Sequence, residues 1–282
     1  MLAYLDGVWR EEAELCLPLP HRGFLYGDGL FETIRVAAGA VCHRRRHLER
    51  LFQAARELGL APPASGELEA LLQEAVRRNA LASGVLRLTV SRGAGPRGLA
   101  PTGEESTTVL LTAAPYPYQP EQYRTGYRAV LVRTTRRNEC SPLARWKTTA
   151  ALDGVLAARE ARAAGAQEGL LLNTRGFLAE GTVSNLFLVV GGELRTPDVV
   201  SGCLPGVARA VVRELAEQRG IPVREIAVTP EDLSAAREAF LTNALLGVMP
   251  LVAVDGRPVG DGTPGKLSLQ LHAWYEAALP GR

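Results

Sequence analysis

Apolar residues recur along the chain with two different spacings, which predict both helices and strands. Spacings of three and four residues predict amphipathic helices over residues 47–58, 67–81, 148–164, 207–219 and 267–278. Alternating or short continuous apolar runs predict a hairpin over 1–9 and strands over 30–36, 40–43, 84–91, 107–113, 127–134, 169–173, 183–190, 222–228 and 239–242. Because strands and helices do not alternate strictly, the pattern predicts an α+β fold.

A proline-rich segment divides this pattern into two parts. Pro115, Pro117 and Pro120 follow one another closely, and proline disfavours helix at its own position and at the preceding one. We therefore predict an extended linker over 114–122. It would join an N-terminal α+β domain, 1–113, to a C-terminal α+β domain, 123–282.

Composition excludes several classes of function. The net charge of +2 gives little support for a nucleic acid or an anionic membrane surface as partner. No apolar run approaches the roughly 18 residues of a membrane-spanning helix, and the N-terminus lacks the pattern of a signal peptide. The four cysteines are scattered without metal-ligand spacing, so we expect reduced thiols, a cytoplasmic location and no metal.

Lysine is scarce: only Lys147 and Lys266 are lysines among the 32 basic residues. Since a guanidinium group stays protonated, chemistry that needs a neutral amine has only these two side chains available. Lys147 precedes the predicted helix 148–164, whose N-terminal dipole would favour the neutral amine. Trp146 would help to remove water from it. Taken alone, a lysine at a helix start is more often an ordinary surface residue.

The segment from Gly93 to Gly98 matches the pattern G-x-G-x-x-G. A dinucleotide site requires a helix directly after it, and Pro101 and Gly103 argue against one. Two interpretations remain: a plain turn, or a loop that presents Arg92 or Arg97 to an anionic substrate, since arginine binds carboxylates with two hydrogen bonds.

Other polar groups stand at the ends of predicted elements. Glu32 and Arg35 lie on opposite faces of one strand, so at least one should point toward a cleft or a partner. A glycine at a helix start, here Gly206, leaves backbone N–H groups open to a phosphate. Thr242 could cap a turn or hold a phosphate oxygen. Each feature in isolation is typical of an ordinary turn or helix start.

Together these segments resemble the fold-type IV enzymes that use pyridoxal 5'-phosphate (PLP). That group includes branched-chain aminotransferases, D-amino acid aminotransferases and 4-amino-4-deoxychorismate lyases. The matching segments, in the family's order, are 26–35 (YGDGLFETIR), 47–51 (HLERL), Lys147 with its helix, 180–187 (EGTVSNLF), 204–209 (LPGVAR) and 242–245 (TNAL). The resemblance implies two α+β domains with PLP between them and a homodimer with the site near its interface.

The resemblance also implies roles for individual residues. Lys147 would form the Schiff base with PLP and then move protons at the substrate carbon. Arg50 would bind the cofactor phosphate, and Glu180 would pair with the pyridine nitrogen. Further cofactor contacts are expected from Gly206, Val207, Ala208, Thr242 and Asn243, and substrate contacts from Tyr26, Glu32, Arg92 and Arg97.

The same resemblance distinguishes three functions. Residues 91–98 (SRGAGPRG) resemble a loop of the aminodeoxychorismate lyases, which release pyruvate and 4-aminobenzoate, a folate precursor. D-amino acid aminotransferases carry Arg-x-His where this chain has Arg97, Gly98 and Leu99, so the histidine is missing. Branched-chain enzymes usually carry tyrosine where this chain has Leu152. We therefore expect a lyase acting on a small molecule. The alternatives are an aminotransferase for D- or branched-chain amino acids, and a non-catalytic PLP-binding protein, against which Lys147, Glu180 and Arg50 argue.

Overall fold

The computed structural model describes residues 1–116 and 119–280, which form two compact units. Unit 1 comprises residues 1–116, Trp146–Ala151 and 279–280, and unit 2 comprises 119–145 and Leu152–Ala278. The predicted C-terminal domain 123–282 therefore differs from unit 2, because the segment that carries Lys147 belongs to unit 1. Within the predicted linker 114–122, Pro117 and Tyr118 lie outside the described residues.

Unit 1 is built on an antiparallel sheet with helices packed on it. Its elements are β1 (Leu2–Leu5), β2 (Val8–Glu11), α1 (Arg22–Tyr26), β3 (Gly29–Ala37), β4 (Ala40–Val41), α2 (Arg44–Leu58), α3 (Ser65–Arg78), β5 (Gly84–Arg92) and β6 (Thr107–Pro115). The strand order is β2-β1-β6-β5-β3-β4. Asp6 and Gly7 both have positive φ angles, 44° and 93°, as a two-residue hairpin turn requires.

The core of unit 1 follows from the two periodicities of the sequence. Alternate residues of β3, among them Ile34 and Val36, are fully buried against the apolar face of α2, which includes Leu48 and Leu51. Gly59 ends α2 in the left-handed conformation, as predicted. β6 continues through Pro115, two residues beyond the predicted strand.

Unit 2 contains a nine-stranded mixed sheet with helices around it. Its elements are α4 (Pro120–Thr125), β7 (Tyr127–Leu131), α5 (Leu152–Ala163), β8 (Glu168–Leu172), β9 (Leu178–Gly181), β10 (Asn185–Val190), β11 (Glu193–Pro197), α6 (Val207–Glu217), β12 (Val223–Ile226), α7 (Pro230–Ser234), β13 (Glu238–Asn243), β14 (Gly247–Val254), β15 (Arg257–Pro258) and α8 (Lys266–Ala277). The strand order is β12-β11-β10-β13-β14-β7-β8-β9, with β15 beside β14.

Parallel pairs join β11 to β12, β14 to β7 and β7 to β8, and the other pairs of this sheet are antiparallel. Helix α4 begins at Pro120, within the segment predicted to be non-helical. Proline fits there because the first helical position needs no N–H donor. The prediction of an α+β fold is confirmed. In the described part of the chain, every helix is too short or too polar to cross a membrane.

Candidate active site

Lys147 lies on a short extended segment beside β3. The Phe31 N–H donates to the Lys147 carbonyl at 2.8 Å, and the Thr149 N–H donates to the Gly29 carbonyl at 2.9 Å. β4 pairs with the C-terminal end of β3, whereas this segment covers the same edge at the N-terminal end of β3. Helix α5 begins only at Leu152. The predicted helix start directly after Lys147, and the helix dipole argued from it, are therefore wrong.

An aromatic ring that the sequence analysis missed faces the amine of Lys147. The Nζ atom lies 4.6 Å from the centroid of the Phe31 ring, and the guanidinium carbon of Arg87 lies 3.7 Å from the same centroid. Trp146 is held elsewhere, since its indole N–H donates to Glu57 at 3.1 Å. Phe31 and Arg87 stand on neighbouring strands, and strand alternation alone would not have selected them.

Arg50 is oriented by a buried carboxylate. Its Nε and Nη2 atoms donate to the two oxygens of Glu32 at 2.8 and 2.6 Å, and His47 Nδ1 lies 2.7 Å from Glu32 Oε2. Burial alone would raise the pKa of Glu32, but the Arg50 charge and the hydrogen bonds from His47 and Arg50 outweigh it and lower the pKa to about 2. Glu32 is 1% exposed and its two oxygens already bind Arg50 and His47, so a contact with substrate through Glu32 is not supported.

A contact of Arg92 with substrate is not supported either, for a similar reason. Its Nε donates to Asp28 at 3.0 Å, and its two terminal nitrogens donate to the carbonyls of Leu58 and Gly59 at 2.9 and 3.1 Å. Arg92 is buried and binds the C-terminal end of α2. Arg97 of the same loop is exposed.

The carboxylate of Glu180, at the end of β9, is fixed from several sides. Its Oε2 accepts the Leu204 N–H at 2.8 Å, and its Oε1 lies 3.0 Å from Arg137 Nε. Asn185 reinforces the arrangement, because its amide donates to the Leu204 carbonyl at 2.9 Å. The sequence analysis missed Arg137 and Asn185. An ionised carboxylate held in one orientation is suited to pair with a protonated ring nitrogen.

The start of α6 and the end of β13 offer donors for an anion. Gly206 precedes the first turn of α6, whose initial N–H groups have no acceptor within the helix. A Cβ atom on Gly206 would lie 1.9 Å from Asn185 Oδ1, so glycine is required. Thr242, which pairs with Asn185 across β10 and β13, is 1% exposed, and its hydroxyl has no hydrogen-bond partner among the described residues.

A buried hydroxyl usually has a hydrogen-bond partner, so this one is available to a water, an ion or a bound ligand. Together with the open N–H groups of Val207 and Ala208, it fits a phosphate group. Asn243 differs from the prediction: its side-chain oxygen accepts the N–H groups of Leu245 and Leu246 at 3.0 and 2.7 Å and closes the turn after β13. A cofactor contact through that oxygen is therefore not supported.

With these groups described, similarity to known proteins decides the family. The family described as amino-transferase class IV matches residues 29–254. The chain belongs to this family. It is 35% identical to a protein of Methanocaldococcus jannaschii provisionally named branched-chain-amino-acid aminotransferase, over 96% of this chain and 94% of that protein. It is 32% identical to the D-alanine aminotransferase of Bacillus licheniformis, over 95% of this chain and 93% of that protein.

Solved structures agree with this assignment. A branched-chain amino acid aminotransferase of the organism abbreviated T.th., with pyridoxamine 5'-phosphate, has a TM-score of 0.93 at 30% identity and covers 98% of this chain and 93% of its own. A Legionella pneumophila protein provisionally named 4-amino-4-deoxychorismate lyase has a TM-score of 0.86 at 28% identity, with coverages of 95% and 97%. The class IV family depends on PLP, so the chain is an enzyme of a PLP-dependent family, as predicted.

Proposed function

We propose that this family member is a 4-amino-4-deoxychorismate lyase. The proposed reaction splits the substrate into pyruvate and 4-aminobenzoate, whose atoms together equal those of the substrate, so no second reactant is needed. One observation carries the proposal: the loop 91–98 keeps the lyase-like sequence and presents the exposed Arg97, whereas Arg92 is buried in structural contacts.

In this proposal, Lys147 would be the covalent attachment point of PLP, and Arg50 would bind its phosphate. Glu180 would pair with the ring nitrogen, and Thr242 and the first turn of α6 would bind phosphate oxygens. When bound, PLP supplies an electron sink for the negative charge that develops at the carbon that loses a proton.

Side chains of unit 1 then determine which reaction the substrate undergoes. Lys147 removes the proton from the amine-bearing carbon of the substrate, the carbon–oxygen bond to the enolpyruvyl group breaks, and the ring becomes aromatic. The released enolpyruvate takes up one proton and becomes pyruvate, which balances the proton lost from the ring. Phe31 places the face of its ring beside the amine and so limits where the amine can lie. Arg97 binds a substrate carboxylate, for which a guanidinium offers two parallel hydrogen bonds.

Amino-group transfer is the second candidate, favoured by the names of the relatives. Arg87 beside Phe31 would bind the carboxylate of an amino acid or of a 2-oxo acid acceptor. The features of the D-amino acid and branched-chain enzymes at Leu99 and Leu152 are absent from the sequence, which is why we rank this function second.

A direct assay separates the two functions. Purified enzyme loaded with PLP is incubated with 4-amino-4-deoxychorismate without any 2-oxo acid, and pyruvate and 4-aminobenzoate are quantified. The lyase produces both in equal amounts, and Lys147→Ala produces neither. Transfer from D-alanine or leucine to 2-oxoglutarate, without pyruvate release from aminodeoxychorismate, would reject the proposal. We further propose a cytoplasmic homodimer, from the family resemblance, which size-exclusion chromatography with light scattering would test.

A further inference from the structure

In unit 1, Asp28 joins two buried arginines through one oxygen atom. The Nε atoms of Arg22 and Arg92 both donate to Asp28 Oδ2, each at 3.0 Å. The side chains of Arg22, Arg92 and Asp28 are 2%, 9% and 12% exposed. Because one carboxylate serves two guanidinium groups, their remaining N–H donors need other acceptors within the protein.

The two arginines direct these donors to different segments. Arg92 binds carbonyls at the end of α2, as described above. Arg22 donates from Nη1 to the Gly98 carbonyl at 2.8 Å and from Nη2 to the Leu99 carbonyl at 2.5 Å. Arg92 therefore stabilises a helix end, while Arg22 binds the loop that carries Arg97.

The first half of this loop is held by the backbone. The Arg22 N–H donates to the Gly93 carbonyl at 3.0 Å, and the Gly95 N–H donates to the Pro20 carbonyl at 3.3 Å. A Cβ atom on Gly93 would lie 2.8 Å from a carbonyl oxygen, so the loop requires glycine there.

The second half is held by side chains. Besides the two bonds from Arg22, the Gly98 N–H donates to the Tyr26 hydroxyl at 3.2 Å. Only Pro96 and Arg97 lie between the two anchored halves, and the ring of Pro96 fixes its own φ angle. Arg97 thus stands at the apex of a short arch whose two ends are bound.

We propose that Arg22 is a positioning residue that determines where Arg97 meets the substrate carboxylate. The inference rests on the proposed substrate role of Arg97. A side chain fixed before binding loses less conformational entropy when it binds a ligand, so a loosened arch weakens substrate binding without changing the proton transfer at Lys147. Tyr26 also helps to hold this loop, because its hydroxyl accepts the hydrogen bond from the Gly98 N–H.

Arg22→Lys tests the proposal, with Arg92→Lys as the matched control. Each variant keeps the positive charge beside Asp28 but removes the fork that reaches two carbonyls. With the PLP-loaded enzyme, we expect Arg22→Lys to raise KM for aminodeoxychorismate about tenfold, with kcat and the Kd for PLP within about twofold of wild type. Arg92→Lys should lower the melting temperature with KM unchanged.

Limited trypsin digestion gives a readout independent of activity. Trypsin cleaves after Arg97, so a loosened arch predicts faster cleavage of the 97–98 bond in Arg22→Lys than in Arg92→Lys, followed by mass spectrometry. If Arg22→Lys fails to fold, Tyr26→Phe replaces it, and a smaller rise in its cleavage rate decides the test, because Tyr26 is itself an expected substrate contact and its KM would change in either case. Unchanged cleavage in the variant that folds, together with an unchanged KM where that variant is Arg22→Lys, would overturn the proposal.

Arg97→Ala separates this inference from the proposed function. If Arg97→Ala raises KM and the Arg22 variant does not, the positioning role fails and the substrate role of Arg97 stands. If Arg97→Ala leaves KM unchanged, the substrate role of Arg97 fails, and the positioning role fails with it even where trypsin finds the arch loosened.

Discussion

The buried carboxylate of Glu32 provides a sharp test of how unit 1 is stabilised. Replacement by glutamine keeps the size of the side chain and removes its charge. His47 and Arg50 would then lose the anion between them, and the Arg50 side chain is only 12% exposed, so water would replace that anion poorly. Removing one partner of a buried ion pair typically costs about 3–5 kcal/mol, because the other charge stays buried.

The pKa of Glu32 gives a second measure of the same effect. A shift from the ordinary value of 4.5 to about 2 corresponds to about 3 kcal/mol of stability. The sign follows from the direction: a carboxylate with a lowered pKa contributes fully above its unfolded value and loses that contribution as pH falls from about 4.5 toward 2. Glu32→Gln should therefore destabilise unit 1 at neutral pH by about 3 kcal/mol and flatten its stability over that acid range.

Fluorescence can follow unit 1 alone. In a Trp274→Phe background, the remaining tryptophans, Trp9 and Trp146, both pack against the core of unit 1. Urea unfolding of the cofactor-free protein at several pH values then gives the free energy of unfolding. Glu74→Gln is the control: the pKa of Glu74 is also lowered to about 2, by hydrogen bonds from two arginines, but its side chain is 30% exposed, against 1% for Glu32, so its loss should change little. Equal stabilities of Glu32→Gln and wild type at pH 7, or parallel acid profiles, would refute the reasoning.

Three further outcomes concern the cofactor. Lys147→Ala should fold normally and lose the absorbance band of covalently bound PLP, whereas Lys266→Ala should keep it; borohydride reduction and peptide mapping would show the modified lysine. Thr242→Val should lower PLP affinity about tenfold without destabilising the cofactor-free protein, because it removes a buried hydroxyl that has no partner among the described residues. Gly206→Ala should weaken PLP binding and lower the melting temperature, since its methyl group would lie 1.9 Å from a side-chain oxygen; Gly154→Ala, whose nearest atom is 3.9 Å away, should do neither.

Much of the fold follows from local sequence patterns. The helices α2, α3 and α6 have clear apolar faces, and the predicted limits of these helices and of α8 differ from the observed ones by a few residues at most. β14 escaped prediction because Pro250 interrupts a pattern that otherwise suits a strand. Within the sheet, Pro250 pairs with Phe240 of β13, so the strand continues through the proline. Tertiary pairing, which one segment of sequence does not reveal, decided this element.

Some residues of the candidate site could likewise be predicted from local sequence, and others could not. The glycine before α6 and the threonine at the end of β13 carry local signals. In the structure a side chain at the glycine would clash with Asn185, and the threonine hydroxyl is buried without a partner among the described residues. By contrast, the sequence could not distinguish the roles of Arg92 and Arg97, which stand in one loop with the same side chain. Only the contacts of Arg92 with Asp28 and with the end of α2 show that its donors are already used.

The excess of arginine over lysine also contributes to the stability of unit 1. Arg22, Arg50 and Arg92 each use the guanidinium fork to bind two or three acceptors at once, which an ammonium group cannot match in one plane. These guanidiniums stay charged and do not form covalent bonds with a carbonyl compound under ordinary conditions. Replacing them by lysine would weaken the anchors and add competing amines. The same choice of residue that stabilises unit 1 therefore leaves Lys147, beside the Phe31 ring, as the amine best placed to react.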